Sequence, residues 1–320
     1  MGRFILRRLL IAIPVLFGIS VATYAMGSLA PGDPVTALLS PGQMANFGPE
    51  WIEHRKEALG LNKPVPVRYA LWLKEVAKGN LGYSYQDGQP VTKKISERIW
   101  PTLKLMSMVL LISILIGVPL GILAAIKQYS IFDYLANMLG FAAVSIPSFF
   151  LGLGLIYLFS VQLAWLPTAG MNTVGAIPTF RDSLTHIILP AFTLGLAQAA
   201  PLIRYSRAAM LESIHQDYIT VARAKGLSER NVMLRHALRN VLIPLVTIIT
   251  LDLPGLVGGT VIIEQVFAWP GMGTLAIGSV FGRDYPTIMG ITMLGAVVVV
   301  FCNLLADVIY ALIDPRIKYS

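Results

Sequence analysis

Long runs of apolar residues alternate with polar segments along the chain, and this pattern predicts its secondary structure. A helix needs about 20 apolar residues to cross about 30 Å of hydrocarbon. Six runs reach that length, and they cover residues 9–30, 105–126, about 135–160, 183–203, 241–263 and 287–313. The pattern therefore predicts an all-α membrane protein with six transmembrane helices.

Composition supports the membrane assignment and excludes several other classes of protein. Asp, Glu, Lys and Arg make up 13% of the 320 residues and apolar residues 55%, whereas about 25% of a typical soluble domain is charged. The one cysteine, Cys302, excludes a disulfide framework and a cysteine metal cluster. A soluble enzyme, a coiled coil and a disordered chain are all excluded.

Basic residues indicate how the helices are oriented. One face receives the basic residues near both termini, Lys127 and those of 204–239, whereas the short loops of the other face contain only Arg181 and Arg283. Because basic loops stay in the cytoplasm, both termini are predicted to be cytoplasmic. The net charge of +8 is then explained by orientation in the membrane, so we expect no nucleic-acid partner.

The same pattern divides the chain into regions. Apolar and aromatic residues at helical spacing predict a helical extracytoplasmic insertion between the first two transmembrane helices, with the aromatics forming a small core or an interfacial belt. The predicted regions are 1–30, the cytoplasmic N-terminus and first helix; 31–100, the insertion; 101–313, the transmembrane core with a cytoplasmic loop at 205–240; and 314–320, a cytoplasmic tail.

The cytoplasmic loop has the pattern of two short helices. Asp217 is a favourable N-cap for a helix over 218–225, and Gly226 is a favourable terminator. Ser228 can cap a second piece that runs from 229 to about 240. Tyr218, Val221 and Ala222 would form the apolar stripe of the first helix. Such a stretch lies either on membrane lipid or against a cytoplasmic protein, and its small residues favour the protein.

No sequence pattern for catalysis or cofactor binding is found. The chain has no Gly-Lys pair, hence no phosphate-binding loop. Its four histidines do not form an i,i+4 pair, and no Gly-x-Ser-x-Gly elbow is present. We expect no catalytic residue, metal or cofactor in this chain, so that the energy for any uphill transport would have to come from a partner or an ion gradient.

The cytoplasmic loop carries a family resemblance. Residues 222–228, followed by 236–240 and Pro244, resemble the signature loop of binding-protein-dependent ABC importer permeases, and within them the dipeptide/oligopeptide/nickel branch. Thr220 stands where the wider superfamily often has Glu, and Asp252 is not expected. Further matching motifs occur in order along nearly the whole chain, at 30–34, 79–82, 166–170, 204–207, 270–273, 283–286 and 314–316.

The resemblance implies a type I ABC importer permease fold in the bacterial cytoplasmic (inner) membrane. Such a chain forms half of a translocation path with a second homologous permease subunit. Two ATPase subunits carry ATP and Mg, and an extracytoplasmic solute-binding protein delivers peptide cargo. The residues that the resemblance places in ATPase coupling are Asp217, Tyr218, Ala222, Arg223, Ala224, Lys225, Gly226, Leu227 and Ser228.

Two alternatives remain open from the sequence. The same machinery could import nickel, glutathione or an oligosaccharide. An ion-coupled transporter or channel would instead use Asp252 and Asp307 as proton or cation sites. Asp252 lies near the middle of its predicted span and is expected to face the translocation path or the subunit seam rather than lipid. For Asp307, a structural role with Asn303 and Tyr310 on the same helix face is favoured.

Overall fold

The chain is almost entirely helical in the computed structural model, which describes residues 2–29, 35, 48–58, 60–251, 255 and 260–313. Asp252 and the motifs at 30–34 and 314–316 lie outside the described residues. Within the described part, no strand occurs. The helices are α1 (Gly2–Leu29), α2 (Pro49–Ala58), α3 (Val65–Ala77), α4 (Val91–Ile126), α5 (Ile131–Ser145), α6 (Ser148–Leu155), α7 (Phe180–Ile214), α8 (Asp217–Ala224), α9 (Glu229–Asn231), α10 (Leu238–Leu251), α11 (Val261–Val266), α12 (Met272–Phe281) and α13 (Tyr285–Ile313), with π-helical turns at Ile156–Gln162 and Val232–Ala237.

Four of the described helices are long and apolar enough to cross a membrane by themselves. They contain Ile5–Leu29, Val91–Ile126, Phe180–Ile214 and Tyr285–Val308. Two bent pairs raise the number of spans to six if each pair counts as one: Ile131–Ser145 with Ser148–Gln162, and Glu229–Leu242 with Pro244–Thr250. The predicted membrane fold is confirmed, and the two bends are features that apolar length alone does not predict.

The predicted third span, 135–160, is not a straight helix. Its two halves, α5 and α6 with the following π-helical turn, meet at a bend of 102°. The break falls at Ile146, whose backbone is extended (φ −84°, ψ 124°) and which precedes Pro147. A proline ring clashes with a helical conformation of the residue before it, and this is the physical reason for the break.

Two compact units divide the chain. The first comprises the described residues of Met1–Trp100 and Gly271–Leu304, and the second those of Pro101–Pro270 and Leu305–Lys318. In the first unit, α3 packs on α1 through aromatic residues: the Tyr24 ring lies 5.5 Å from the rings of both Tyr69 and Trp72. Tyr69 also shares a 2.8 Å hydrogen bond with the buried Ser20. These partly exposed rings join α3 to α1, and the small core and the interfacial belt both stay predictions for the aromatics of the insertion.

A buried carboxylate ties the loop before α4 to the start of α13 in the same unit. Asp284 is 0% exposed and accepts hydrogen bonds from Ser84 Oγ at 2.5 Å, the Tyr85 N–H at 2.9 Å and Thr287 Oγ1 at 2.7 Å. Lys94 Nζ lies 3.7 Å from the same carboxylate. Because a buried charge requires such partners, this network fixes the loop 80–90 on the helix.

Helix α7 is the central element of the second unit. In its most apolar stretch 61% of the residues are buried, against 33% or less in the other three long spans. Small residues let α4 approach it closely: a Cβ on Gly117 would stand 2.9 Å from the Ala199 carbonyl oxygen, and one on Gly195 would stand 2.7 Å from Ile112. This close packing is typical of helices within membranes. It gives the loop that follows α7 a closely packed base.

Candidate functional site

The predicted cytoplasmic loop forms a short helix, α8, whose ends differ slightly from the prediction. Its N-cap is Gln216, whose carbonyl accepts from the Ile219 N–H at 3.0 Å. Asp217 is therefore in the first turn and is not the cap, so that prediction is wrong. The carboxylate of Asp217 still interacts favourably with the helix dipole there.

The predicted terminator of α8, Gly226, is confirmed, although the helix ends at Ala224 and Lys225 is its C-cap. Gly226 has φ +75°, and its N–H donates to the Arg223 carbonyl at 2.9 Å. The Leu227 N–H reaches back to the Ala222 carbonyl at 3.4 Å. These two bonds define a Schellman motif, which needs a left-handed residue after the helix. Gly226 supplies that conformation without a Cβ penalty.

The second predicted helix of the loop is not a separate element. Ser228 precedes α9 in an extended conformation, but its side chain makes no capping hydrogen bond. A π-helical turn, Val232–Ala237, then leads directly into α10. The wider turn changes which residues face inward: Val232 and Ala237 are buried, whereas Leu234 is 56% exposed. The Leu234 side chain is therefore available at the surface.

The buried face of α8 also differs from the predicted stripe. Ile219 and Ala222 are buried, at 0% and 5% exposure, whereas Tyr218 and Val221 are 39% and 52% exposed. The i,i+3 spacing of Ile219 and Ala222 places them on one face, and this spacing was the signal that could have identified Ile219. They pack in a core cluster with Ala125, Met210, Val232, Ala237, Val241 and Leu245.

An exposed apolar face therefore remains on α8 and the turn that follows it. Tyr218, Val221 and Leu227 are exposed by 39%, 52% and 40%, and Ala224 and Lys225 are exposed as well. Neighbouring exposed apolar side chains mark surfaces that contact another protein or the membrane. We call Tyr218, Val221, Ala224, Lys225 and Leu227 the coupling face, after the role that the family resemblance predicts for this loop.

Polar contacts hold the coupling face in place. Arg223 Nε donates to Glu229 Oε1 at 2.7 Å, which joins α8 to α9 across the Gly226 turn. Tyr218 OH shares a 2.7 Å hydrogen bond with Ser213 Oγ at the end of α7. Beside this bond lies an open cleft of about 300 Å³, lined by Ala209, Glu212, Ser213, Gln216, Tyr218, Asn240 and Pro244.

The two remaining candidate residues belong to other segments of the chain than the coupling face. Asp252 lies outside the described residues. Asp307 is half-buried on α13, whereas Asn303 is exposed. In the described part of the chain, no group of three or more His, Cys, Asp or Glu residues could hold a metal ion.

Comparison with known proteins places these features in a family context. Residues 117–319 match a family described as "Binding-protein-dependent transport system inner membrane component", and residues 1–106 match the N-terminal region of such membrane components. The chain is 42% identical over 320 residues to the oligopeptide transport system permease protein AppB of Bacillus subtilis (strain 168), covering 100% of both chains. It is 38% identical over 320 residues to the glutathione transport system permease protein GsiC of Escherichia coli (strain K12), again covering 100% of both.

A solved structure shares the fold. The MetNI methionine ABC transporter in an inward-facing conformation matches with a TM-score of 0.56 and 20% sequence identity. The match covers 70% of this chain and 97% of the other. It shows that the chain has the membrane-subunit fold of that transporter.

Proposed function

This chain belongs to the inner-membrane components of binding-protein-dependent transport systems, and from that premise we propose that it forms half of the translocation path of an ATP-driven peptide importer. A second, homologous permease subunit would form the other half. An extracytoplasmic solute-binding protein would deliver the cargo. Two ATPase subunits, which bind ATP and Mg, would supply the energy.

The main support for a peptide as the cargo is the similarity of this chain, over its full length, to an oligopeptide permease. The 42% identity extends over 100% of both chains, so the aligned region includes the segment between α7 and α10. The glutathione permease, at 38% identity over the whole chain, supports glutathione as a second candidate cargo. Glutathione is itself a small peptide, so both candidates belong to one chemical class.

The coupling face supports contact with an ATPase. Its apolar residues are exposed, while Ile219 and Ala222 of the same helix are buried in a cluster that also contains residues of α4, α7 and α10. A partner that moves α8 would therefore move the ends of the long helices with it, because packed interiors transmit displacement rather than absorb it. ATP-driven closure of the ATPases would in this way switch the path from inward-open to outward-open.

The orientation of the chain in the membrane follows from the same proposal. An ATPase acts in the cytoplasm, so the coupling face and both termini would be cytoplasmic, as the distribution of basic residues predicts. The loop 80–90 and the start of α13 would then lie on the extracytoplasmic side, where the solute-binding protein docks.

Uptake of a labelled peptide by the native host tests the proposal that the cargo is a peptide. Deleting the gene for this chain, in a strain with no other importer of trialanine, should abolish uptake of tritium-labelled trialanine. A plasmid copy should restore it. Excess unlabelled glutathione tests the second candidate by competition. Loss of nickel or oligosaccharide uptake with normal trialanine uptake would show that the proposed peptide cargo is wrong.

A further inference from the structure

A two-bond ion pair joins α5 to α7 within the second unit. Arg207 Nε donates to Asp133 Oδ1 and Arg207 Nη2 donates to Oδ2, both at 2.7 Å. The Asp133 side chain is 4% exposed and that of Arg207 24%. The planar guanidinium matches both carboxylate oxygens at once, so the pair fixes orientation as well as distance.

Asp133 also organises the turn between α4 and α5. Its Oδ2 accepts from the Tyr129 N–H at 3.0 Å, and its Oδ1 accepts from the Asn137 amide at 2.8 Å. Its own N–H donates to Ser130 Oγ, the cap of α5, at 3.3 Å. Tyr129 stands at φ +63° in this turn. One carboxylate therefore connects the α4–α5 turn, the first turns of α5 and the cytoplasmic part of α7.

The pair is adjacent to the base of the coupling face. Met210 lies on α7 one turn after Arg207, is fully buried and packs in the cluster that holds Ile219 and Ala222 of α8. Ala125, at the end of α4, belongs to the same cluster. Displacement of α8 would thus reach α4 and α7 through apolar packing. It would reach α5 through the α4–α5 turn, the ion pair and the direct packing of α5 on α7.

α5 and α7 also pack directly on each other. Ala136 and Gly140 of α5 are buried, and a Cβ on Gly140 would lie 3.8 Å from the Cβ of Ala200. Small residues at such a contact let the two helices approach closely. The directional bonds between Asp133 and Arg207 add a fixed orientation to this packing.

We propose that Arg207 is a positioning residue for transport: through Asp133 it makes α5 and α7 move as one body with the coupling face. The proposal rests on the proposed function, since it assumes that an ATPase moves α8. A purely stabilising pair would change the amount of assembled complex. A positioning pair changes the number of ATP molecules hydrolysed per peptide imported.

The first test compares two arginines on α7 in proteoliposomes that contain the assembled complex, its binding protein and labelled trialanine. Arg207→Gln removes the pair and should raise ATP hydrolysed per trialanine imported by roughly tenfold, within the range by which residues between coupled sites alter coupling. Arg207→Lys keeps the charge but loses the two-bond geometry, and should give a smaller rise. Arg204→Gln removes an exposed charge from the same helix and should leave the ratio unchanged.

A disulfide provides the second test. In a Cys302→Ala background, Gly140→Cys and Ala200→Cys would place two Cβ atoms near the separation of about 3.8 Å that disulfides favour. Oxidation should restore the ratio of ATP to peptide in Arg207→Gln, and should leave transport intact when the native pair is present. The tethered complex also allows the ratio to be measured if Arg207→Gln alone assembles poorly.

The outcomes separate this inference from the proposed function. Import by the wild-type complex, with an unchanged ratio in Arg207→Gln and Arg207→Lys, overturns the positioning role alone. Loss of transport when the native protein is tethered also overturns it, because α5 and α7 would then have to slide past each other. A wild-type complex that imports no trialanine contradicts the proposed function itself.

Discussion

Gly226 ends α8 in a conformation that few other residues adopt. Its φ is +75°, and a Cβ there would meet no atom within 4 Å, so a substitution is opposed by backbone strain and not by a clash. A non-glycine residue pays about 1–2 kcal/mol in the left-handed region. We expect Gly226→Val to shift the turn and the coupling face while the long helices still insert.

The measurement is import and ATP hydrolysis per assembled complex. Gly226→Val should lower import and either release the ATPases or leave them hydrolysing without transport. Gly226→Asn is the matched control, since Asn tolerates the left-handed conformation and should retain most activity. Reduced insertion with normal transport per folded molecule would contradict the coupling role.

The role of Asp252 in the translocation path is a hypothesis that comes from the sequence alone. A carboxylate near the middle of a span costs about 2.5–3.5 kcal/mol on insertion scales, so it is expected to face protein or water. For a peptide importer it could attract the amino group of the cargo. Asp252→Asn should then reduce trialanine uptake without reducing assembly, and Asp307→Asn serves as the comparison. Unchanged uptake of every cargo would remove this role.

At the scale of elements, substitutions on the two faces of α8 should have different effects: one should lower the stability of the permease, and the other should prevent ATPase binding. Ile219 is fully buried and Val221 is 52% exposed. Ile219→Ala should destabilise the permease by about 2–5 kcal/mol, as cavities in a core do. Val221→Asp should change the free energy of unfolding by no more than about 0.5 kcal/mol, but it should prevent ATPase binding.

Thermal unfolding of the purified permease and co-purification of the ATPases measure the two effects. A cysteine introduced at the exposed Ala224, in the Cys302→Ala background, should also crosslink to the ATPase. If Val221→Asp releases the helix from lipid vesicles but leaves ATPase binding intact, α8 is a lipid-binding helix and the docking assignment is wrong.

The presence of a helix could be predicted from the sequence where a local signal exists. The residues at which helices begin and end were harder to predict. The terminator Gly226 is a single-residue signal, and it placed the end of α8 correctly. The bend at Ile146 was also predictable, because Pro147 follows it directly. The π-helical turn at Val232–Ala237 has no comparable residue signature, and it altered the inward face enough to leave Leu234 exposed.

At the scale of the whole molecule, apolar periodicity predicts spans but not which distant side chains meet. Asp133 and Arg207 are 74 positions apart, and Ser84 and Asp284 are 200 apart. Each carboxylate looks like an ordinary polar residue at the end of a helix in the sequence. Only tertiary packing makes them buried hubs, since their partners come from other elements. The function could be predicted from the family resemblance, because the resemblance rests on the order of motifs along nearly the whole chain.

The last prediction concerns the chain without its partners. Because no Gly-Lys pair and therefore no phosphate-binding loop occurs in the sequence, the purified chain should hydrolyse no ATP. Reconstituted alone under a proton or sodium gradient, it should also transport no trialanine. Adding the second permease, the ATPase subunits and the binding protein should produce ATP-dependent uptake. Gradient-driven transport by the isolated chain would instead identify an ion-coupled transporter, with Asp252 and Asp307 as the first residues to substitute.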